Sequence, residues 1–179
     1  MILPSSRTYA TCLAVVRILT GAIWLIHAIP KFMNGEAFLP PNGVFATYLQ
    51  NGIAKTAGPF HGFLAGVVAP NAAIFAELVR FGELCVGISL ILGLFTRLGG
   101  FFGIVLPLVY MAARGAGTTV SAWGTADASL ALLSAISLFL PTGRVAGFDA
   151  LRGPRAPRKQ RVVAEVVAER PFSGPSAPP

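Results

Sequence analysis

The apolar stretch FAELVRFGELCVGISLILGLFTR, residues 75–97, places a strict condition on the fold because three charges lie in its first half. Residues 72–94 contain twelve Leu, Ile, Val and Phe side chains, which favour membrane insertion by roughly 4 to 7 kcal/mol in total. Glu77, Arg80 and Glu83 oppose insertion by roughly 8 to 10 kcal/mol. Alone, the segment would be marginal as a membrane span, so its charges must face polar partners inside a helical bundle.

The composition of the whole chain supports a membrane protein. Of its 179 residues, 54% are hydrophobic and 12% are charged, whereas about a quarter of the residues in a soluble domain are charged. Arg17 interrupts the first apolar segment, so we expect a retained helix there rather than a cleaved signal peptide. The sequence therefore predicts an all-α integral membrane four-helix bundle, with spans at roughly residues 10–32, 72–95, 98–113 and 126–140.

Residues 1–151 form the predicted transmembrane domain, which includes a long loop at residues 33–71 between the first two spans. Within this loop, GVFATYLQNGIAKTAG predicts a short surface helix, and PFHGFLAGVVAP predicts an interfacial or re-entrant segment because it is too short to cross. Residues 152–179 are rich in Pro and Arg, which predicts a disordered basic tail that cannot bury a core.

Positive charge predicts the orientation in the membrane, since the net charge is +7. With four spans, Arg7, Arg97 and the basic tail fall on one side. Lys55 and Arg114 fall on the other side. Cytoplasmic loops carry the excess of Lys and Arg, so both termini are predicted inside and the long loop outside, in the cytoplasmic (inner) membrane. Besides membrane lipid, no nucleic-acid partner is expected, because no folded basic surface or motif accompanies the charge.

Two polar faces predict how the first two spans pack. Glu77, Arg80 and Glu83 lie within about 120° of arc on one helix, given 100° per residue. The first span carries a polar stripe about 80° wide, which consists of Arg17, Thr20, Trp24, His27 and Lys31. If the two helices are antiparallel with matched midpoints, the two faces meet inside the bundle.

Matched midpoints also predict which residues lie at similar levels. Three pairs are expected: Trp24 with Arg80, His27 with Glu77, and, about four residues or roughly 6 Å apart, Arg17 with Glu83. Two roles remain open for such a face. It is either a set of buried ion pairs that fixes helix register or a set of ionisable groups that lines a pathway or a ligand site.

Metal and dithiol chemistry find little support in the sequence. No spacing of His, Cys, Asp or Glu is typical of a metal site, and no C-x-x-C motif is present. The two histidines, His27 and His61, leave haem ligation as an alternative, but no metal or haem site is predicted. Cys12 and Cys85 lie in apolar segments, where we expect small buried hydrophobic residues rather than a disulfide.

Three segments resemble the DoxX/DoxD family of small four-helix membrane proteins. GELCVGISLILGLFTR is similar to the family's second-helix signature, with motif positions at Gly82, Gly87, Gly93 and Arg97. VRILTGAIWLIHAIPKF is similar to the first helix, with Ala28 where many members have Gly and with matching positions at Arg17, Gly21, His27 and Lys31. GRVAGFDAL, which contains Asp149, resembles the segment that closes these proteins, and FAELVRFGE together with VAPN favours the DoxD branch.

The resemblance implies the membrane subunit of a thiosulfate:quinone oxidoreductase, which is the role of the DoxD branch. In this hypothesis a quinone enters from the lipid as substrate, and a soluble or membrane oxidoreductase subunit is the partner. The resemblance assigns no catalytic residue. The candidate residues for the quinone site and its proton relay are His27, Lys31, Trp24, Glu77, Arg80, Glu83 and Arg17.

Two other functions remain open on the sequence. A non-enzymatic scaffold or oxidative-stress complex subunit would use the charged face to fix helix register and the basic tail to recruit soluble partners. A small-solute or proton transporter would use the same charges as a pathway, although the chain lacks the inverted repeat that is expected of many carriers.

Overall fold

The computed structural model describes residues 6–114, 125–144 and 146–152, and every regular element in them is helical. In chain order the α-helices are α1 (Ser6–Met33), α2 (Gly35–Phe38), α3 (Val44–Lys55), α4 (Gly58–Phe63), α5 (Ala72–Leu92), α6 (Thr96–Ala113) and α7 (Ala126–Phe139). The four predicted spans coincide with α1, α5, α6 and α7, with ends that differ by a few residues. Residues 153–179 of the predicted tail lie outside the described part of the chain.

The four long helices pack side by side, each antiparallel to its neighbours. Helix α1 contacts α5 and α7, and α6 contacts the same two helices. We name the two ends of this group by residues that lie near them. At the Lys31 end, α1 and α6 finish; at the Arg17 end, α5 and α7 finish and α6 begins.

Small residues let these helices approach closely. A Cβ atom added to Gly100 of α6 would lie 2.6 Å from the backbone nitrogen of Leu138, which is in α7. Between α1 and α5, a Cβ atom on Gly21 would lie 2.9 Å from the carbonyl oxygen of Gly87. Close backbone contact through small residues is typical of helix packing in membranes, where apolar side chains gain little by leaving lipid.

The segment that follows α7 holds the connection between α5 and α6. Gly93 ends α5 with φ of 66°, a left-handed conformation that glycine adopts without steric cost. Asp149 accepts hydrogen bonds from the backbone N–H groups of Phe95 and Thr96, both at 3.0 Å, and from the Thr96 hydroxyl at 2.7 Å. A carboxylate at this position satisfies free N–H groups at the start of α6 and interacts favourably with the helix dipole.

The predicted loop between the first two spans is a helical cap. Helices α2, α3 and α4 are followed by a π-helical turn, Leu64–Val68, and a 3-10 turn, Ala69–Asn71, which lead into α5. Helix α3 confirms the predicted surface helix, and it contacts α5 and α6. The segment PFHGFLAGVVAP is helical and continues into α5. We name residues 35–71 the cap.

The outward surface of the long helices is strongly apolar. Large side chains with more than half of their surface exposed include Leu19, Ile26, Leu78 and Leu132. By length and composition, two helical segments, Thr8–Met33 and Thr96–Ala113, are suited to cross a membrane. Helix α7 is shorter, and α5 carries three charges. Apolar exposure of this extent marks a surface that another apolar phase or partner covers.

Candidate functional site

Glu83 is the centre of a polar cluster to which three helices contribute. Its side chain is 3% exposed, and both carboxylate oxygens have partners. Lys31 Nζ, in the last turn of α1, forms an ion pair with Oε2. The Tyr110 hydroxyl, on α6, donates a hydrogen bond to Oε1 at 2.9 Å. Because a buried carboxylate is tolerated when it is paired and hydrogen-bonded, these two donors explain how α5 accommodates Glu83. We name the three residues the Glu83 cluster.

Lys31 connects the Glu83 cluster with the cap. Its side chain is 22% exposed, so the ammonium is only partly removed from the surface. Nζ lies 5.1 Å from the ring centroid of Phe38, a buried residue of α2, in cation–π contact. The cluster therefore lies beneath the cap, with Glu83 at its buried side and Lys31 at its accessible side.

Glu77 and Arg80 form a second ion pair, within α5. Arg80 Nε and Nη2 each lie 2.5 Å from a carboxylate oxygen of Glu77, in bidentate geometry. The Arg80 guanidinium also lies 4.7 Å from the ring centroid of Phe32 and 5.6 Å from that of Phe81. The prediction that α1 shelters all three charges of α5 is therefore wrong for this pair, since α1 supplies an aromatic ring and no charge.

Trp24 lies in the apolar core and not beside Arg80. It is 1% exposed and packs with Val86, Leu90 and Leu130. Its indole nitrogen donates a hydrogen bond to Ser134 Oγ at 3.3 Å, which gives the buried N–H a partner. This apolar cluster lies between the Glu83 cluster and the Arg17 end, because it follows Glu83 along α5 and precedes Lys31 along α1.

Arg17 lies at the far end of the helices from the Glu83 cluster, which contradicts its predicted place near Glu83. It is fully buried. Its guanidinium donates to the carbonyl oxygen of Thr142 at 3.2 Å and to that of Ala146 at 2.9 Å. Both acceptors belong to the segment after α7 that contains the 3-10 turns Thr142–Arg144 and Phe148–Arg152, which we name the closing segment. Arg17 thus holds this segment against α1 and takes no part in the candidate site.

The register of α1 against α5 explains these differences. Gly21 lies against Gly87, and the Phe32 and Phe81 rings meet with centroids 5.1 Å apart. Relative to matched midpoints, the helices are displaced by roughly two turns. Matched midpoints fail because the first turns of α1 extend beyond the end of α5, so the Gly21–Gly87 approach sets the register instead.

His27 faces away from the helix interface. It is exposed, whereas the next residue, Ala28, is fully buried, so Ala28 takes the interface position predicted for His27. His27 lies three residues after Trp24 and Ala28 lies four residues after it, and both spacings keep a side chain near one face of a helix. The contact with α5 places Ala28 at the interface. His61 Nδ1 lies 3.0 Å from the carbonyl oxygen of Ile53 within the cap.

The structure corrects the predicted burial of the two cysteines. Cys12 and Cys85 are exposed on their helices and are not bonded to each other. In the described part of the chain, no group of three or more His, Cys, Asp or Glu side chains is arranged to hold a metal ion.

Tyr110 is the member of the cluster that sequence reasoning missed. It lies one turn before the end of α6 in an otherwise apolar helix. The available signal was its hydroxyl, because a tyrosine in an apolar span needs a hydrogen-bond partner for its polar end. Nothing in the local sequence indicates that this partner is Glu83.

The residues of the family motifs contribute to helix packing and helix ends and are not part of the Glu83 cluster. Gly87 permits the approach of α1, Gly93 ends α5, and Asp149 caps α6. Gly82 faces α6, and a Cβ atom added to it would lie 3.4 Å from Leu106 Cδ1. Arg97 is exposed in the first turn of α6.

Comparison with known proteins identifies one family. The sequence model described as "TQO small subunit DoxD" matches residues 12–166. No curated protein and no solved structure matches the chain.

Proposed function

The chain belongs to the DoxD family, and from this premise we propose that it is the membrane subunit of a thiosulfate:quinone oxidoreductase, with the Glu83 cluster as its quinone site. The family description supports the class of reaction, since it names a small subunit of such a complex. The burial of a doubly hydrogen-bonded carboxylate between three helices supports the place of the site.

In this proposal the four long helices span the cytoplasmic membrane as a bundle with both termini inside. The apolar outward surface and the two helices suited to cross a membrane support it. Exposed Arg97 and Arg144 lie at the Arg17 end, on the side of the basic tail. Because excess Lys and Arg mark the cytoplasmic side, the cap and the Lys31 end face outward.

The chemistry proposed for the Glu83 cluster is proton delivery to the quinone substrate. Reduction to the quinol converts both carbonyl oxygens to hydroxyls, so it takes two electrons and two protons. Glu83 is the group that, after it takes up a proton, gives it to a quinone oxygen; Tyr110 orients the carboxylate through Oε1, and Lys31 balances its charge while it is ionised. An ionisable group inside a membrane protein is by default a functional candidate.

The partner subunit and thiosulfate supply the electrons in this proposal. The chain itself contributes the place where lipid-borne quinone meets protons. Lys31 contacts the ring of buried Phe38 and Arg80 contacts the ring of Phe32, so aromatic side chains adjoin both ion pairs on the cap side.

The test is thiosulfate-dependent reduction of a quinone analogue by the membrane protein purified with its partner. Glu83→Gln keeps the shape of the side chain but removes its titratable proton, and we expect turnover to fall by about 100-fold or more. Glu36→Gln, an exposed change of the same kind in α2, is the matched control and should retain wild-type turnover. Wild-type turnover in Glu83→Gln, with quinone reduction intact, would exclude this site.

A non-enzymatic subunit is the second candidate, because buried ion pairs also serve to fix helix packing. It predicts that the purified wild-type complex binds its partner yet reduces no quinone with any reductant. The Glu83→Gln variant would then lose stability without any activity to lose.

A further inference from the structure

We propose that the protons consumed in quinone reduction enter from the Lys31 end of the molecule and that Lys31 passes them to Glu83. This inference rests on the proposed quinone site and adds the direction of proton uptake. The observation that carries it is the unequal surroundings of Glu83 toward the two ends of the helices.

Toward the Lys31 end, polar groups lead from the surface to Glu83. The Lys31 side chain is 22% exposed at one side and bonded to Glu83 Oε2 at the other. The Glu77 side chain, at the same end, is 38% exposed. Arg114 and Asp127 form a further ion pair there, where α6 ends and α7 begins. Lys31 is thus the one member of the Glu83–Lys31 pair through which a proton can exchange with the surface.

Toward the Arg17 end, the surroundings of Glu83 are closed. Trp24, Val86, Leu90 and Leu130 pack directly beyond it. Of the polar groups on this side, the Thr20 hydroxyl donates to the carbonyl oxygen of Val16, and Ser134 Oγ accepts from Trp24. The hydroxyls of Ser137 and Thr142 are buried without a hydrogen-bond partner, and neither is an acid or a base that relays a proton near neutral pH.

The charged groups at the Arg17 end are unsuited to pass a proton inward. The Arg17 guanidinium is fully buried on carbonyl oxygens and stays protonated in proteins. Of the five carboxylates in the described residues, Asp149 is the one at this end, and it caps α6. A proton from this side would have to cross the packed side chains of Trp24, Val86, Leu90 and Leu130, none of which is titratable.

The proton step balances with the proposed reaction. The quinone takes two electrons that derive from thiosulfate, and each of its two oxygens takes one proton. For each proton, the Lys31 ammonium first protonates the Glu83 carboxylate, Glu83 then gives that proton to a quinone oxygen, and Lys31 takes a proton back from the adjoining aqueous phase. Tyr110 keeps its hydroxyl proton and positions Glu83.

The experiment is proton uptake by the complex in sealed vesicles with a lipophilic quinone in the bilayer. Impermeant pH dyes report each aqueous phase, and labelling of an introduced Lys55→Cys from outside scores the orientation of the protein. With thiosulfate as reductant, we expect two protons to disappear on the Lys31 side for each quinone reduced. Uptake on the Arg17 side would overturn the inference. Absence of quinone reduction by the wild-type complex would instead overturn the proposed function.

A variant tests the part of Lys31. Lys31→Arg keeps the positive charge and the ion pair with Glu83, but a guanidinium does not release its proton. We expect turnover to fall about tenfold or more while the melting temperature stays near the wild-type value. Lys55→Arg, an exposed change on α3, is the matched control. Wild-type turnover in Lys31→Arg would show that Lys31 is structural.

Discussion

Glu83 has two donors of different chemistry, and we expect them to contribute differently to the fold and to the proposed reaction. Removing the charged partner of a buried carboxylate costs about 3–5 kcal/mol, because the remaining charge is uncompensated. Loss of a hydrogen bond from a neutral donor to a charged group costs about 1.5–3 kcal/mol. Loss of Lys31 is therefore expected to lower the stability of the fold more than loss of the Tyr110 hydroxyl. Removal of the Tyr110 hydroxyl is expected to change mainly the position of the Glu83 carboxylate.

The variant Tyr110→Phe tests that position. It keeps the ring and removes the donor to Glu83 Oε1, so we expect a loss of about 1–3 kcal/mol in stability and slower quinone reduction. Thermal unfolding in detergent and turnover are the measurements. Tyr48→Phe, on an exposed face of α3, is the control. If the two variants unfold and turn over alike, the Tyr110 bond has no part in the site.

Helices α6 and α7 illustrate how an element's composition becomes packing. Helix α6 places Gly99, Gly100 and Gly103 on its buried face. Helix α7 meets this face with the buried serines Ser134 and Ser137. In water, such glycines would weaken a helix by up to about 1 kcal/mol each. Here they allow backbone contact, which is a main source of helix association when the surroundings are as apolar as the side chains.

A methyl group at Gly100 tests this contact. In Gly100→Ala the added Cβ would lie 2.6 Å from Leu138 N and 2.9 Å from Ser134 O, both backbone atoms. We expect α6 and α7 to move apart at a cost of about 1–3 kcal/mol. In α4, Gly62→Ala is the matched control because nothing lies within 4 Å of its Cβ position. A melting temperature for Gly100→Ala equal to that of Gly62→Ala would contradict the close packing.

At the scale of the whole molecule, charge is distributed unequally between the two ends. Four of the five described carboxylates lie toward the cap, together with exposed Arg114, whereas exposed Arg97 and Arg144 lie at the Arg17 end with Asp149 as its one described carboxylate. Helix α7 has 14 residues, or about 21 Å at 1.5 Å per residue, and a bilayer core is about 30 Å thick. In the proposed membrane arrangement, the longer neighbouring helices α1 and α6 and local thinning of the lipid would make up the difference.

The proposed orientation predicts a labelling pattern in intact cells. In a background of Cys12→Ser and Cys85→Ser, an impermeant maleimide should label Lys55→Cys on the cap from outside. Arg97→Cys, exposed at the start of α6, should be labelled only after the membrane is opened. Positions 55 and 97 are both on the exposed surface of the protein. Access of the maleimide from the aqueous phase therefore decides whether each introduced cysteine is labelled. Labelling of Arg97→Cys in intact cells would reverse the topology and with it the side of proton uptake.

Composition and hydrophobic pattern were sufficient to predict the helical class, the four long helices and the need to shelter charge on α5. These are local properties, because helix formation and the cost of burying a charge depend on residues within one segment. The tertiary structure alone decided which partners shelter that charge. Lys31 lies 52 residues from Glu83 and Tyr110 lies 27 residues from it, and their meeting depends on a register that the Gly21–Gly87 contact sets. The tertiary structure likewise decided that Ala28, and not His27, lies at the interface. The two residues follow Trp24 by four and three positions, both spacings fit the helical period, and only the contact with α5 distinguishes them.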